Sequence, residues 1–432
     1  MAIKKSGEIV IVGAGCYGVS TAYHLLRRGF TKITVLDRSD VLPAPHAAST
    51  DLNKIVRSAY PDVFYARFAR EAIEAWKDEK EWGDTYHECG VFTMMSGGGS
   101  YADQAYQSEL ALGGRIDLLK SEEAIRGIFP PGVKLGALDN KIGYINRDGG
   151  WANAAQGVSV LMKKAIALGA KVIPGKAVCK LFKTDGKTTG VECADGSVYS
   201  ADLVILCAGS WTASSFPTLE LGQKCLATAQ SIATIQLTPE DGNAYRNMPI
   251  YLDFNNGFYI FPPNHENIMK IAVESAGYTS TLPTSLSGVS ISTPQFVQPQ
   301  DGQGSRIPKK ELQEIRTQLA KVFPELAKKP FSSTRLCWYT DSPDDDWIIG
   351  FHPSDSGVVL ATAGSGHAYK FLPNIGGLVA DAIEGVLDPA LVKKFAVDRQ
   401  ENADVVFRRG RTASELDFGT LCTSEDLLPA SS

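Results

Sequence analysis

The run Glu8-Ile-Val-Ile-Val-Gly13-Ala-Gly15-Cys-Tyr-Gly18 constrains this chain more than any other stretch. A short apolar strand enters three glycines at the G-x-G-x-x-G spacing. An amphipathic helix follows from Val19 to Gly29, and a second apolar strand, Ile33-Thr-Val-Leu, ends at Asp37, 24 residues after the first glycine. Gly13 permits the tight turn, Gly15 lets backbone approach a pyrophosphate, and Gly18 lets helix and strand pack closely, so that phosphates sit on the helix N-terminus. Asp37 is then the acceptor for ribose hydroxyls. A glycine triplet alone says little, because turns collect glycine. The strand before, the helix after and the terminal acid make it a dinucleotide fingerprint.

The chain has 432 residues, 44% of them apolar, which is enough for two domains with buried cores. A net charge of -5 with both signs interspersed gives nucleic acid nothing to bind. No apolar run approaches the roughly 20 residues that cross a bilayer, and the first strand starts too early for a secretory leader. The ending Pro429-Ala-Ser-Ser is not an S-K-L-type peroxisomal address. A soluble, cytoplasmic, monomeric protein is expected. Eight cysteines show neither C-x-x-C spacing nor a Cys/His cluster, so no metal site is expected and most read as reduced, buried small residues.

Further along, Lys54 and Arg57 lie three apart in Asp51-Leu-Asn-Lys54-Ile-Val-Arg57. On a helical turn they share a face; spacing alone favours a solvated basic face over a pair aimed into one cavity. Helices are expected over 64–76, 102–112, 151–170, 309–322 and 374–384 from their apolar periodicity. Residues 189–199 read as a hairpin across Ala194-Asp195-Gly196. Residues 220–335 alternate short strands with polar loops, an antiparallel sheet, and Tyr278–Arg306 reads as one long mobile loop. Strand Gly357–Ala363, the turn Gly364-Ser-Gly366-His-Ala-Tyr-Lys370 and a helix then offer a second helix N-terminus to the same cofactor.

Six ordered segments carry a resemblance over nearly the whole chain: Gly13–Gly18 with Asp37, Asn53–Arg57, Asp148-Gly-Gly-Trp151, Gly257–Phe261, Cys337-Trp-Tyr-Thr with Asp344, and Gly364–Lys370. They resemble the FAD-dependent secondary-amine oxidases that include sarcosine, N-methyltryptophan, pipecolate, saccharopine and fungal fructosyl amino acid oxidases. The fold implied is α/β, a Rossmann-like FAD-binding domain of the glutathione-reductase/D-amino-acid-oxidase type with an antiparallel-sheet substrate domain. The discontinuous FAD domain is expected over 1–82, 151–219 and 336–400, the substrate domain over 83–150 and 220–335, and a tail over 401–432.

The resemblance also implies roles. Cys337 matches the cysteine that attaches to the flavin covalently, a step needing thiolate character; Arg335, two residues away, shares its strand face. Without the resemblance Cys337 reads as a buried structural cysteine. Lys270 matches the lysine over the flavin that stabilises charge developing on oxygen. Arg57 and Lys370 match the pair gripping the substrate carboxylate, and Lys54 a basic residue near the flavin ring. Arg38, Val178, Gly364, Gly366 and Lys370 complete the cofactor contacts that the resemblance implies.

Tyr259 and Arg57 resemble the sarcosine and pipecolate type, whereas Glu274, four residues after Lys270 and on the same strand face, resembles the fructosyl type. His367 takes the histidine position, and Ala368 stands where the family has a second glycine. The expected reaction oxidises a secondary amino acid to an imine and reduces O2 to H2O2. Fructosyl amino acids are the runner-up substrates; a flavin dehydrogenase serving a carrier and an NAD-dependent enzyme are the rivals from other classes.

Overall fold

The computed structural model describes residues 3–283, 290–295, 306–400 and 412–429. Alternation along the first strand, Glu8–Val12, decides its place. Its apolar residues point in turn to two faces: Ile9 and Ile11 join one core with Val19, Ala22 and Leu25 of the helix Cys16–Arg27, while Val10 and Val12 join another with Val191 and Val204. A strand buried on both faces belongs in the middle of a parallel sheet. Glu8–Val12 accordingly pairs in parallel with Lys32–Leu36 on one side and Leu203–Leu206 on the other. Lys171–Ile173 and Asp355–Thr362 extend the sheet in parallel, and Ile348–His352 closes one edge antiparallel.

Helices Cys16–Arg27, Ala154–Ala167 and Ile375–Glu384 cover one face of this sheet. The antiparallel strands Val178–Thr184, Lys187–Cys193 and Val198–Ser200 cover the other, the last two forming the expected hairpin. The second large sheet is mostly antiparallel, running Leu226–Gln236, Ile268–Val273, Phe258–Ile260, Ile250–Asp253 through its centre. Two of its pairings are parallel: Val91–Met95 with Ile250–Asp253, and Tyr278–Thr279 with Ser414–Glu415. Leu312, Ile315 and Leu319 of the helix Lys309–Val322 pack on it against Phe258, Met269 and Ile271. The strand Ser333–Asp341 pairs along Leu226–Gln236 and sets Cys337 opposite Gln230.

Three local expectations change. Lys54 and Arg57 are not on a helical turn: Lys54–Val56 is a strand paired antiparallel with Gly150–Ala152, and Arg57 follows it outside any helix. For the same reason the helix expected from 151 starts at Ala154. Residues 150–152 are held as a strand between Lys54–Val56 and Tyr86–His87, and Asn153 caps the helix by accepting from the Gln156 N–H. The stretch 278–306 is not one loop, since Tyr278–Thr279, Thr281–Pro283 and Ser290–Ser292 are strands; much of the remainder, where mobility was expected, lies outside the described residues. No helix among the described residues is long and apolar enough to cross a membrane.

Candidate active site

The first glycine turn opens a cavity of about 790 Å³ at the carboxyl end of the parallel sheet. Gly13 has φ +106°, and a Cβ on it would sit 2.4 Å from the Cys207 carbonyl oxygen; on Gly18 a Cβ would sit 1.8 Å from the Gly13 carbonyl oxygen. Both positions therefore demand glycine for packing. Gly15 differs, because a Cβ there would meet only the tip of one side chain, the Ser49 hydroxyl at 3.0 Å, and no backbone, and it lies on the cavity wall. The helix Cys16–Arg27 begins there with no acidic residue in its first turn, which leaves its positive end available to an anion.

Asp37 is buried on the lining, accepting from the Ala14 N–H at 2.8 Å and the Ser39 N–H at 2.9 Å. It thus braces the glycine loop as well as facing the cavity. Arg38 lies over the Trp211 ring at 3.4 Å and, with Val178, lines the same space. The buried oxygens of Tyr17, Ser214 and Thr340 on this lining have no hydrogen-bond partner, polar atoms that a ligand would satisfy. A cavity with an anion-ready helix end, a buried acid and orphaned hydroxyls fits a dinucleotide.

The returning turn contributes differently from the expectation of a second helix N-terminus. Gly364–Gly366 line the cavity, but the helix Ile375–Glu384 starts further on and its Gly376 N–H donates to Ser20 Oγ against the first helix. Ala368 is accommodated: its backbone is ordinary helical (φ −71°), and its methyl occupies the space left by Gly364, where a Cβ would come within 3.1 Å of it. Ala363 and Ser365 carry the left-handed backbone instead, at φ 55° and 44°.

A second cavity of about 580 Å³ adjoins the first; Lys54, Tyr339, Ser365, Gly366 and Tyr369 line both. Arg57, Tyr259, Lys270, Glu274, His367 and Lys370 all line it, so residues up to 313 positions apart converge on one space. The Arg57 guanidinium bonds the Ala59 carbonyl oxygen and donates to the Tyr101 hydroxyl at 3.1 Å, with Tyr60 and Phe254 rings at 4.3 and 5.1 Å. Lys370 is buried and donates to the His367 carbonyl oxygen at 2.7 Å; burial, then Arg57, push its pKa well below that of a free lysine. His367 itself bonds the Asp345 carbonyl oxygen at 3.0 Å and faces the Tyr60 hydroxyl at 3.4 Å. Tyr259 is held neutral, first by burial.

Lys270 sits among Met269, Ile271 and Ala272 in the strand Ile268–Val273 and is 1% exposed. Its ammonium bonds the Asp51 carboxylate and donates to the Asn53 carbonyl oxygen at 2.7 Å. Lys54 meets the same carboxylate oxygen at 3.1 Å. Cys337 is fully buried beside Ile232 and Ala272 and lines neither cavity, although its neighbours Trp338 and Tyr339 do. Arg335 turns its guanidinium to the carbonyl oxygens of Thr50 (2.8 Å) and Ala47 (3.0 Å), tying the strand to the loop that carries Asp51.

Asp51, Tyr60, Tyr101 and Phe254 were not singled out by the sequence. Asp51 has one local signal, a place three residues before Lys54. Nothing local links it to Lys270, 219 residues away.

A family described as FAD dependent oxidoreductase matches residues 8–382. The chain is 33% identical over 402 residues to the L-saccharopine oxidase of Schizosaccharomyces pombe, covering 88% of this chain and 91% of that relative. It is 27% identical over 461 residues to an amino acid oxidase of Aspergillus fumigatus, covering 87% and 91% respectively. Among solved structures, a fructosyl peptide oxidase from E. terrenum matches with a TM-score of 0.85 at 30% identity, over 96% of this chain and 97% of that one.

Proposed function

This chain belongs to the FAD-dependent oxidoreductase family, and from that membership we propose that it is an oxidase of secondary amino acids, with L-saccharopine, L-pipecolate or another N-alkyl amino acid as substrate. The observation that carries the substrate class is the convergence of Arg57 and Lys370 on the smaller cavity, which adjoins the dinucleotide cavity. A guanidinium fork and an ammonium suit a carboxylate. Glu274 on the same lining gives fructosyl amino acids as the second reading, since a carboxylate there can accept from a polyol or an ammonium.

A flavin held by the Gly13–Gly18 turn, Asp37 and Arg38 would supply the acceptor for a hydride from the substrate carbon next to nitrogen and the donor of two electrons to dioxygen, giving hydrogen peroxide. The protein's part is placement and field. Arg57 and Lys370 hold the carboxylate and so orient the reacting carbon. Their positive charge and the low-dielectric wall disfavour a protonated amine, so the substrate nitrogen reacts neutral without a dedicated base. The oxidised product is an imine, which water hydrolyses. Lys270 supplies the fixed cation for charge developing on oxygen. Tyr259 and His367 line the substrate cavity, and Lys54 stands where the two cavities meet. The division of labour follows the two sheets, the parallel one holding the cofactor and the antiparallel one roofing the substrate.

Anaerobic mixing of the purified protein with saccharopine, pipecolate, sarcosine, N-methyl amino acids and fructosyl-lysine tests this reading. Loss of the visible flavin absorbance with one of them names the substrate, and readmitted oxygen restores the colour in an oxidase. A flavin bleached by none of the panel overturns the substrate assignment.

A further inference from the structure

We propose that Asp51 is the positioning residue for Lys270: one buried carboxylate oxygen, shared with Lys54, holds the Lys270 ammonium in its place and keeps it protonated for the reaction with oxygen. The proposal rests on the reading of Lys270 given above. Its basis is geometric. An ammonium inside an apolar strand costs several kcal/mol to desolvate unless it is paired, and Lys270 has two partners, Asp51 Oδ2 and the Asn53 carbonyl oxygen. Asp51 Oδ2 also lies 3.1 Å from Lys54 Nζ, while Oδ1 accepts from the Leu52 N–H at 2.8 Å and is thereby fixed in direction. The carboxylate is 4% exposed and the Lys270 side chain 2%, so bulk solvent screens the pair little. The Asp51 loop is itself pinned, because the Arg335 guanidinium bonds the Thr50 and Ala47 carbonyl oxygens.

The result is a buried cluster of two lysines on one acid. Like charge from Lys54 and the loss of solvent both act against a proton on Lys270, and Asp51 acts for it; the balance leaves Lys270 at about 8. The same pull holds the Asp51 carboxyl well below the usual carboxylate range against its own burial. The other titratable groups around the cluster are Tyr259 on Phe258–Ile260, Glu274 beyond the end of Lys270's own strand, Arg335, Cys337 and Tyr339 on Ser333–Asp341, and Lys370 across the cavity from Lys54.

The sign of the effect follows. Removing the acid leaves two cations without a counter-charge, so Lys270 gives up its proton at lower pH. Removing Lys54 relieves the repulsion, so Lys270 keeps its proton to higher pH.

The test uses the flavin-loaded enzyme and reads the two half-reactions separately by stopped flow across pH 6–10. In Asp51→Asn the rate of reoxidation by oxygen at pH 8 should fall tenfold or more and its alkaline limb should move to lower pH. Anaerobic reduction by substrate should change less than threefold, and Asp51→Glu should restore much of the rate. Lys54→Met should move the alkaline limb the other way, and it decides the matter if Asp51→Asn does not fold. Lys270→Met separates the two levels of inference. If it loses reoxidation while Asp51→Asn keeps the wild-type profile, or Lys54→Met leaves the limb unmoved, the role of Asp51 is overturned and that of Lys270 stands. If Lys270→Met reoxidises normally, the reading of Lys270 itself fails.

Discussion

Arg57 and Lys370 stand over the same aromatic ring: the guanidinium carbon lies 4.3 Å and the ammonium nitrogen 5.2 Å from the centroid of Tyr60. Two basic side chains so close in a buried site disfavour each other's charge, and the electron-rich ring face offsets part of that cost. The site is therefore built to receive an anion.

Arg57→Met is expected to lower kcat/KM for a carboxylate substrate far more than Arg57→Lys. Truncating one partner of a buried charged contact costs about 2–5 kcal/mol, or roughly 30- to several-thousand-fold. Steady-state kinetics with both variants check this, and an unchanged kcat/KM would mean that the carboxylate is held elsewhere.

Binding of a carboxylate should draw a proton onto Lys370. Burial and Arg57 push this lysine well below its ordinary range, and an anion placed beside it pulls it back up. Proton uptake on binding means that affinity falls as pH rises through the window between the two pKa values. Calorimetry with an unreactive carboxylate analogue in two buffers of different ionisation enthalpy reads the uptake, and Lys370→Met should abolish it.

The two glycines at the start of the first helix should fail differently. Gly18→Ala forces a methyl into the Gly13 carbonyl and should prevent folding, whereas Gly15→Ala meets only the Ser49 hydroxyl, at 3.0 Å, which can shift, and should fold with less bound flavin. Thermal unfolding and the ratio of flavin to protein absorbance separate these outcomes. Equal loss of fold in both would contradict the packing described.

Asp344 and Arg399 form a buried ion pair at 2.6 Å, with the arginine also donating to the Trp347, Ala396 and Asp346 carbonyl oxygens. Burial raises the Asp344 carboxyl, and Arg399 outweighs it, so its pKa is lower folded than unfolded. The pair's stabilisation is then fully present above the unfolded carboxylate range and is lost as pH falls through the folded pKa. Arg399→Met should cost about 3–5 kcal/mol at neutral pH, the usual cost of orphaning a buried charge. Denaturant titration at pH 7 and pH 3 should show a smaller difference between variant and wild type at the lower pH.

If the flavin is attached through Cys337, acid-denatured wild-type protein should precipitate yellow and Cys337→Ser should release its flavin to the supernatant. The thiol is fully buried and lines neither cavity, so a colourless wild-type precipitate would fit a packing role among Ile232, Ala272 and Tyr259.

The parallel sheet and its cofactor turn were legible because every part of the signal is local. Glu8–Asp37 holds strand, turn, helix and acid within one short stretch, and the alternating burial of Ile9 to Val12 follows from the pleat alone. The hairpin at Ala194–Gly196 and the helix Lys309–Val322 were legible for the same reason. The strand Gly150–Ala152 was not, since its identity comes from neighbours at Lys54–Val56 and Tyr86–His87 that lie far away in the chain. The same pairing made Lys54 part of a strand, where spacing had suggested a helical turn.

By itself, then, the amino-acid sequence determined the glycine-lined dinucleotide turn, the two kinds of sheet, and the set of charged residues available to a substrate. Only the tertiary structure decided which of those charges meet: that Arg57 and Lys370 share Tyr60, that Lys54 and Lys270 share Asp51, and that Cys337 is sealed behind Ile232. Backbone geometry and periodicity act between near neighbours in sequence. A charge pairs with whatever the packed sheets bring within about 4 Å of it, at an energy that depends on how far burial has lowered the local dielectric.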